Sequence, residues 1–269
     1  MQHHTWIPAR RIRHWWLTLI LLGATASATP PYSGTIFIDP DIITAADPNA
    51  FLGITYAGQG VRNLFDRRCG CFENLNVYLF DATYADGRGI EVQVDPEFAS
   101  EALAAAPARF YASVVGQLPQ ALRDDVHMLW IHRGDEAFGG GNQSLLIHTG
   151  AIAQSYIDTG ILEEALAHEA SHTSLDDPLA SSSAWLAAQA ADLEFISTYA
   201  ADNPGREDVA ESFLVWLAAR RSSGRIDTAT AATIETTIPN RLDVFDAQGF
   251  ALYPYTGLDT VFADGFEPL

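Results

Sequence analysis

The stretch Ile161-Leu-Glu-Glu-Ala-Leu-Ala-His-Glu-Ala-Ser-His172 decides how the rest of the sequence is interpreted. It consists mostly of good helix formers and contains no proline or glycine, so it predicts a helix. His168 and His172 are four residues apart, which places both imidazoles on one helix face about one turn apart. Both rings can then reach one tetrahedral zinc ion, and Glu169 is placed to take a proton from the water that the ion activates.

A catalytic zinc ion usually has three protein ligands, so a third must be found. The best source is the predicted helix over residues 206–221, where Glu207 and Glu211 fall four apart on one face. We choose Glu211, because its apolar neighbours suggest a partly buried carboxylate, which needs a cation or a hydrogen-bonding partner. Glu207, nearer the helix start, is the alternative ligand or a carboxylate that interacts with the helix dipole or solvent.

Asp176 continues the four-residue spacing beyond His172 and competes for the same role. A ligand one further turn along would overshoot a single ion unless the helix broke, and Pro178 keeps that option open. We therefore expect Asp176 to hydrogen-bond a ligand histidine and fix its orientation. His148, at the end of a predicted strand, is expected to be a structural histidine or to line the cleft.

The first 28 residues have the pattern of a secretory signal peptide. Three arginines and no acidic residue precede the apolar run Leu17–Ala24, and Ala26-Ser-Ala28 supplies small residues for cleavage. The apolar run is too short to serve comfortably as a membrane anchor. We expect Sec export, although the adjacent arginines also permit a twin-arginine signal, and a secreted or periplasmic protein without membrane anchoring after cleavage.

The net charge argues against nucleic acid and anionic membranes as partners. The chain has 269 residues, of which 15 are basic, all arginine, and 34 are acidic. Loss of three arginines with residues 1–28 leaves 12 basic against 34 acidic residues, a net charge of −22. Such a surface repels nucleic acid and anionic membranes.

The two cysteines, Cys69 and Cys71, are separated by one glycine. An oxidising compartment would allow a disulfide between them, but so small a ring is strained. We interpret Cys-Gly-Cys as a local loop feature, and a pair of cysteines alone offers too few ligands for a metal ion.

Hydrophobic patterning predicts one α+β domain. Residues 29–66 are rich in Pro, Gly and Asp and are expected to be an irregular leader. Alternation around Asp86-Gly87 predicts a hairpin from Val77–Phe80 and Ile90–Val94. Further strands are predicted over 126–132 and 144–148, and helices over 96–121, 160–174, 180–199, 206–221 and 228–238. The domain then spans residues 67–258, with an exposed tail over 259–269.

Two motifs together, His168-Glu-Ala-Ser-His172 and Ala210-Glu211-Ser-Phe213, resemble those of the gluzincin metallopeptidases, in particular the lethal-factor-like branch. The sequence from Phe195 to Phe213 is similar to one in many uncharacterised bacterial zinc-peptidase-like proteins. Further stretches look like markers of one such exported family, so the resemblance covers most of the mature chain: Ser33–Ile42, Phe65–Arg68 and Phe138–Asn142.

The resemblance implies a zincin-like fold, in which a small antiparallel or mixed sheet packs on a mainly helical lobe that carries the HExxH helix. It also implies Zn²⁺ held by His168, His172 and Glu211, with Glu169 as the base, and a peptide or protein substrate. Gln143 to Thr149 is then the strand expected to bind an extended substrate.

One tyrosine departs from the family pattern. The lethal-factor-like proteins have a tyrosine about two turns before the glutamate, whereas Tyr199 lies twelve residues before Glu211. Tyr199 is expected either to direct its hydroxyl at the oxyanion or to cap the apolar end of its helix.

Two other functions stay open on the sequence. One is an exported zinc-binding protein that keeps the zincin-like fold but does not catalyse hydrolysis. The other is a metal-free exported interaction protein in which the motif occurs by chance.

Overall fold

The computed structural model describes residues 29–222 and 224–256, which form an α+β structure around a mixed six-stranded sheet. The predicted signal peptide and the predicted tail, residues 259–269, lie outside the described residues. The strands are β1 (Phe51–Asp66), β2 (Cys71–Tyr84), β3 (Gly89–Val94), β4 (Met128–His132), β5 (Gly139–Gly141) and β6 (Ser144–His148).

In space the strand order is β1-β2-β3-β4-β6-β5. The pairs β3–β4 and β4–β6 are parallel, and the other three pairs are antiparallel. Strands β1 and β5 therefore form the two edges of the sheet, and the long hairpin of β1 and β2 closes one side.

Helices carry most of the remaining chain. In the described residues they are α1 (Glu101–Val115), α2 (Gln120–Arg123), α3 (Ala151–Thr159), α4 (Leu162–Ser174), α5 (Asp176–Leu179), α6 (Ser183–Ala191), α7 (Thr198–Asp202), α8 (Asp208–Trp216), α9 (Thr228–Thr237) and α10 (Pro239–Gln248). None of these helices is long and apolar enough to cross a membrane.

The helices cover one face of the sheet. Successive residues of a strand point to opposite faces, so the residues of one strand show which face the helices cover. On β4, Leu129 and Ile131 lie in the large core with the helices. Trp130, between them, lies on the other face in a small cluster with Leu64 and Leu146. Helix α4 is central, with β5 and β6 on one side and α8 on another.

Local sequence explains where several helices begin and end. The hydroxyls of Ser100 and Ser182 accept the backbone N–H groups of Leu103 and Trp185, which satisfies donors that the first turns of α1 and α6 leave free. Gly160 ends α3 with a φ of 75°, a left-handed conformation that favours glycine. Helix α4 then begins two residues later.

The hairpin and two strand predictions are confirmed. Residues Val77–Phe80 fall within β2, Ile90–Val94 within β3, and the register pairs Tyr78 with Val94. The predictions over 126–132 and 144–148 correspond to β4 and β6.

Other predictions were wrong. The second half of the leader is the strand β1, whose residues are exposed or half-buried apart from Leu64 and Asp66, so that no apolar alternation marks the strand. The sheet therefore extends into the predicted leader, because β1 pairs with β2. The helix predicted over 180–199 ends at Ala191, because the Asp192 carboxylate instead accepts hydrogen bonds from Asn240 and Arg241.

The two cysteines are bonded. Cys69, in the turn between β1 and β2, forms a disulfide with Cys71, the first residue of β2. A local loop was expected at this position, and the sequence alone left open whether the pair would be bonded.

Candidate metal centre

His168 and His172 lie on α4 and direct their Nε2 atoms toward one point, 3.2 Å apart. The carboxylate of Glu207 completes the group, with Oε2 3.0 Å from His172 Nε2 and 3.3 Å from His168 Nε2. We call these three residues the cleft cluster. All three belong to a set whose ligand atoms lie close enough together to hold one metal ion.

These separations fit a zinc ion. Ligand atoms about 2.0 to 2.1 Å from a tetrahedral ion lie about 3.3 Å from one another, and the three observed separations run from 3.0 to 3.3 Å. Two imidazole nitrogens and one carboxylate oxygen form a donor set that zinc accepts, with a fourth position left for water or substrate. The residues present therefore fit the expected ion.

A carboxylate also lies on the far side of each ring. The Nδ1 atom of His172 lies 2.8 Å from Asp176 Oδ2, and the Nδ1 atom of His168 lies 3.3 Å from Glu211 Oε1. The first contact is a hydrogen bond, which fixes the orientation of the His172 ring, and the second is a longer ion-pair contact. Asp176 therefore occupies the orienting position expected for it.

The geometry favours Glu207 over Glu211 as third ligand, since Glu207 and not Glu211 lies with the two Nε2 atoms, and the choice of Glu211 stays a prediction. Spacing alone could not separate the two residues, because they lie one turn apart on the same face. Glu211 instead turns away from the Nε2 atoms, and its Oε2 accepts the backbone N–H of Thr35 at 2.9 Å.

The two histidines and Glu207 of the cleft cluster shift one another's pKa values. Burial lowers the pKa of His168 and of His172, but the surrounding carboxylates outweigh it and raise the pKa values to about 10 and about 9. Burial would raise the pKa of Glu207, but hydrogen bonding to the two histidines holds it well below its usual range. The carboxylates thus stabilise positive charge at the point where a divalent cation would bind.

The cleft cluster opens into a cleft of about 700 Å³. Glu169 and Tyr199 both line it, as their predicted catalytic roles require. The ring of Tyr199 stacks on that of His168 with centroids 6.4 Å apart, and its hydroxyl interacts with Glu207 and Arg206.

The substrate strand prediction was wrong in its position. Strand β6, which contains most of Gln143 to Thr149, lies inside the sheet, between β4 and β5. The edge strand is β5, which also lines the cleft. Its Gly140 approaches α4 so closely that a Cβ there would lie 1.8 Å from the carbonyl oxygen of Glu169.

Residues Ser33 to Phe37 form the opposite wall of the cleft, which the sequence did not reveal. The carbonyls of Tyr32 and Ser33 accept the backbone N–H groups of Thr198 and Tyr199. Phe37 lines the cleft and is 64% exposed. The predicted leader is therefore partly built into the site.

His148 does not line the cleft. It lies fully buried, its ring stacked on that of His132 with centroids 5.3 Å apart. Its Nδ1 lies 3.0 Å from the carbonyl oxygen of Arg133, and its Nε2 lies 3.9 Å from Asp66 Oδ1. We call Asp66, Asp95, His132 and His148 the buried cluster.

Comparison with protein-family models gave no match, and comparisons with curated proteins and with solved structures gave none either.

Proposed function

We propose that this chain is an exported zinc-dependent peptidase with a zincin-like fold. One observation carries the proposal: three ligand atoms of His168, His172 and Glu207 converge at the floor of a cleft that Glu169 also lines. The pattern of residues 1–28 supports export.

The residues of the cleft have separable tasks. His168, His172 and Glu207 would hold the ion. Asp176 keeps the His172 ring in orientation, and Glu211 lies beside the His168 ring. A bound zinc ion would make water more acidic and polarise the carbonyl of the scissile bond.

Glu169 is the proposed base. It follows His168 on α4 and lines the same cleft, so its carboxylate can accept the proton of the attacking water. The same carboxylate then returns the proton to the leaving amine. An extended peptide would lie along the edge strand β5, pairing its backbone with that of Gly139 and Gly140, since the N–H of Gly141 already donates to Thr173 Oγ1.

The alternative is an exported zinc-binding protein with the same site that does not catalyse hydrolysis. In both functions His168, His172 and Glu207 would hold the ion, so activity is the property to test.

The variant Glu169→Gln separates the two functions, because it keeps the metal ligands and removes the base. We expect the zinc-loaded wild type to cleave members of a random peptide pool, and the variant to retain zinc but lose at least about a hundredfold in rate. Mass spectrometry of the pool measures cleavage, and elemental analysis measures zinc. Equal cleavage by both proteins would overturn the peptidase proposal, as would a wild type that holds zinc and cleaves nothing.

A further inference from the structure

Two neighbouring arginines in the turn after β1 have opposite surroundings. The guanidinium of Arg68 lies 2.7 Å from Asp66 and 3.0 Å from Glu97, so its charge is compensated. Arg67 donates one hydrogen bond, from Nη2 to the carbonyl oxygen of Phe138 at 2.7 Å. Within residues 29–222 and 224–256, no carboxylate forms an ion pair with Arg67.

The position of Arg67 is unusual for such a strongly acidic chain. It lines the metal cleft and also a smaller adjoining groove of about 220 Å³, which is lined by aromatic residues including Phe72 and Trp130. Nη2 lies so close to Gly139 that a Cβ there would be 2.8 Å away. The missing side chain of Gly139 therefore lets the guanidinium lie against the edge strand.

The other charges in the cleft are mainly negative. Glu169, Glu207 and Asp176 lie along it, and Arg206 is paired with Glu207 at 2.7 Å. An exposed guanidinium with most of its donors directed away from protein carboxylates is suited to bidentate binding of an anion. The carbonyl of Phe138 holds it in place, so little side-chain entropy is lost on binding.

We propose that Arg67 is a substrate-binding residue that takes a carboxylate of the peptide, so that the protein selects peptides that carry one near the scissile bond. The inference rests on the proposed function. The carboxylate belongs either to the C-terminus of the peptide or to an aspartate or glutamate side chain, and both present the same planar pair of oxygens.

The test uses three N-acetylated random peptide pools and the zinc-loaded protein. One pool has free C-termini without Asp or Glu, one has amidated C-termini with Asp and Glu, and one is amidated and lacks both. We expect the wild type to cleave at least one carboxylate-bearing pool about tenfold faster than the third. The faster pool identifies the source of the carboxylate.

Variants isolate the contribution of Arg67. Arg67→Gln should remove the preference, and Arg67→Lys should restore part of it, because lysine keeps the charge but not the two parallel donors. Arg109→Gln, which removes an exposed arginine that does not line the cleft, is the matched control and should keep the full preference. Rates that fall equally for all three pools in Arg67→Gln would indicate a structural role and overturn the inference.

Binding distinguishes failure of this inference from failure of the peptidase proposal. In zinc-loaded Glu169→Gln, calorimetry should show tighter binding of the preferred pool's peptides than of their carboxylate-free counterparts, and Arg67→Gln should abolish the difference. If the wild type cleaves nothing but this difference is found, only the peptidase proposal fails. If cleavage or binding is insensitive to the carboxylate, or no peptide binds, the inference fails.

Discussion

The described residues contain two clusters in which a pair of histidines meets carboxylates, and the clusters differ in how their ligand atoms are arranged. In the cleft cluster, one carboxylate oxygen and two Nε2 atoms converge, while the other oxygen of that carboxylate is paired with Arg206. In the buried cluster, His132 Nδ1 lies 2.9 Å from Asp95, and Arg68 lies 2.7 Å from Asp66. The two histidine rings stack there, and both of their Nε2 atoms are buried.

The difference shows that residue types alone do not make a metal site. The buried cluster also contributes to a group with metal-ligand chemistry, formed by Asp95, Glu97 and His132. Yet its two histidine rings stack instead of directing their nitrogen atoms at one point, and its carboxylates are paired with the Arg68 guanidinium. A site for an exchangeable ion needs convergent ligand atoms and access from solvent, and the cleft cluster has both.

Removing one histidine from each cluster tests the comparison most strongly. His168→Ala should lose zinc by far more than a hundredfold in affinity, because it removes a ligand. His132→Gln should keep about one equivalent, which is the content expected of a single site. Elemental analysis of protein whose circular dichroism shows a folded state gives the answer.

His127→Ala, an exposed histidine outside both clusters, is the control for a lost imidazole. Zinc lost from folded His132→Gln, or two equivalents in the wild type, would break the distinction between the clusters.

The second test sharpens the assignment within the cleft cluster. Glu207→Gln should weaken zinc binding more than Glu211→Gln, because the first change removes a charged ligand and the second a carboxylate in contact with a ligand ring. For the second change we expect a loss of about 10- to 100-fold. Competition with a chromogenic chelator measures both affinities, and the reverse order would return Glu211 to the position of third ligand.

The smallest effect concerns the pH dependence of the buried cluster. Burial lowers the pKa of His148 from its usual 6.5, despite a contact with the Arg133 carbonyl that raises it. As the pH is lowered below 6.5, the unfolded chain therefore binds a proton at this position more readily than the folded chain does. The free energy of unfolding consequently decreases as the pH is lowered.

His148→Gln should remove that contribution, so its free energy of unfolding should fall less than that of the wild type between pH 6.5 and about pH 5. Urea titrations at the two pH values measure the difference. His127→Gln is the exposed control, and a variant that loses as much stability as the wild type would contradict a neutral, buried His148.

Much of the site could be predicted from the sequence because its central elements are local. The four-residue spacing of His168 and His172 fixes their common face once α4 forms, and the adjacent Glu169 follows from the same helix. The contact of Asp176 with His172 was expected from the same four-residue spacing, although Asp176 lies just beyond α4, at the start of α5. These inferences need only local geometry.

The remaining parts depend on how distant elements pack. The choice between Glu207 and Glu211 depends on where α8 lies against α4, which no spacing within α8 reveals. Arg67 and the segment Ser33 to Phe37 reach the cleft from far away in sequence. Strand β5 lies at the edge because β6, which follows it in sequence, lies between β4 and β5 in the sheet. A run of three glycines does not signal this order.

The contact between Gly140 and the Glu169 carbonyl has a mechanical consequence for the cleft. A side chain at position 140 would have to push β5 away from the helix that carries Glu169, and this side of the cleft would widen. The opposite side, Ser33 to Phe37, is attached by backbone hydrogen bonds to α7 and the Glu211 carboxylate and by the packing of Ile36 on the core. The width of the cleft therefore depends on the absence of a single Cβ atom at Gly140.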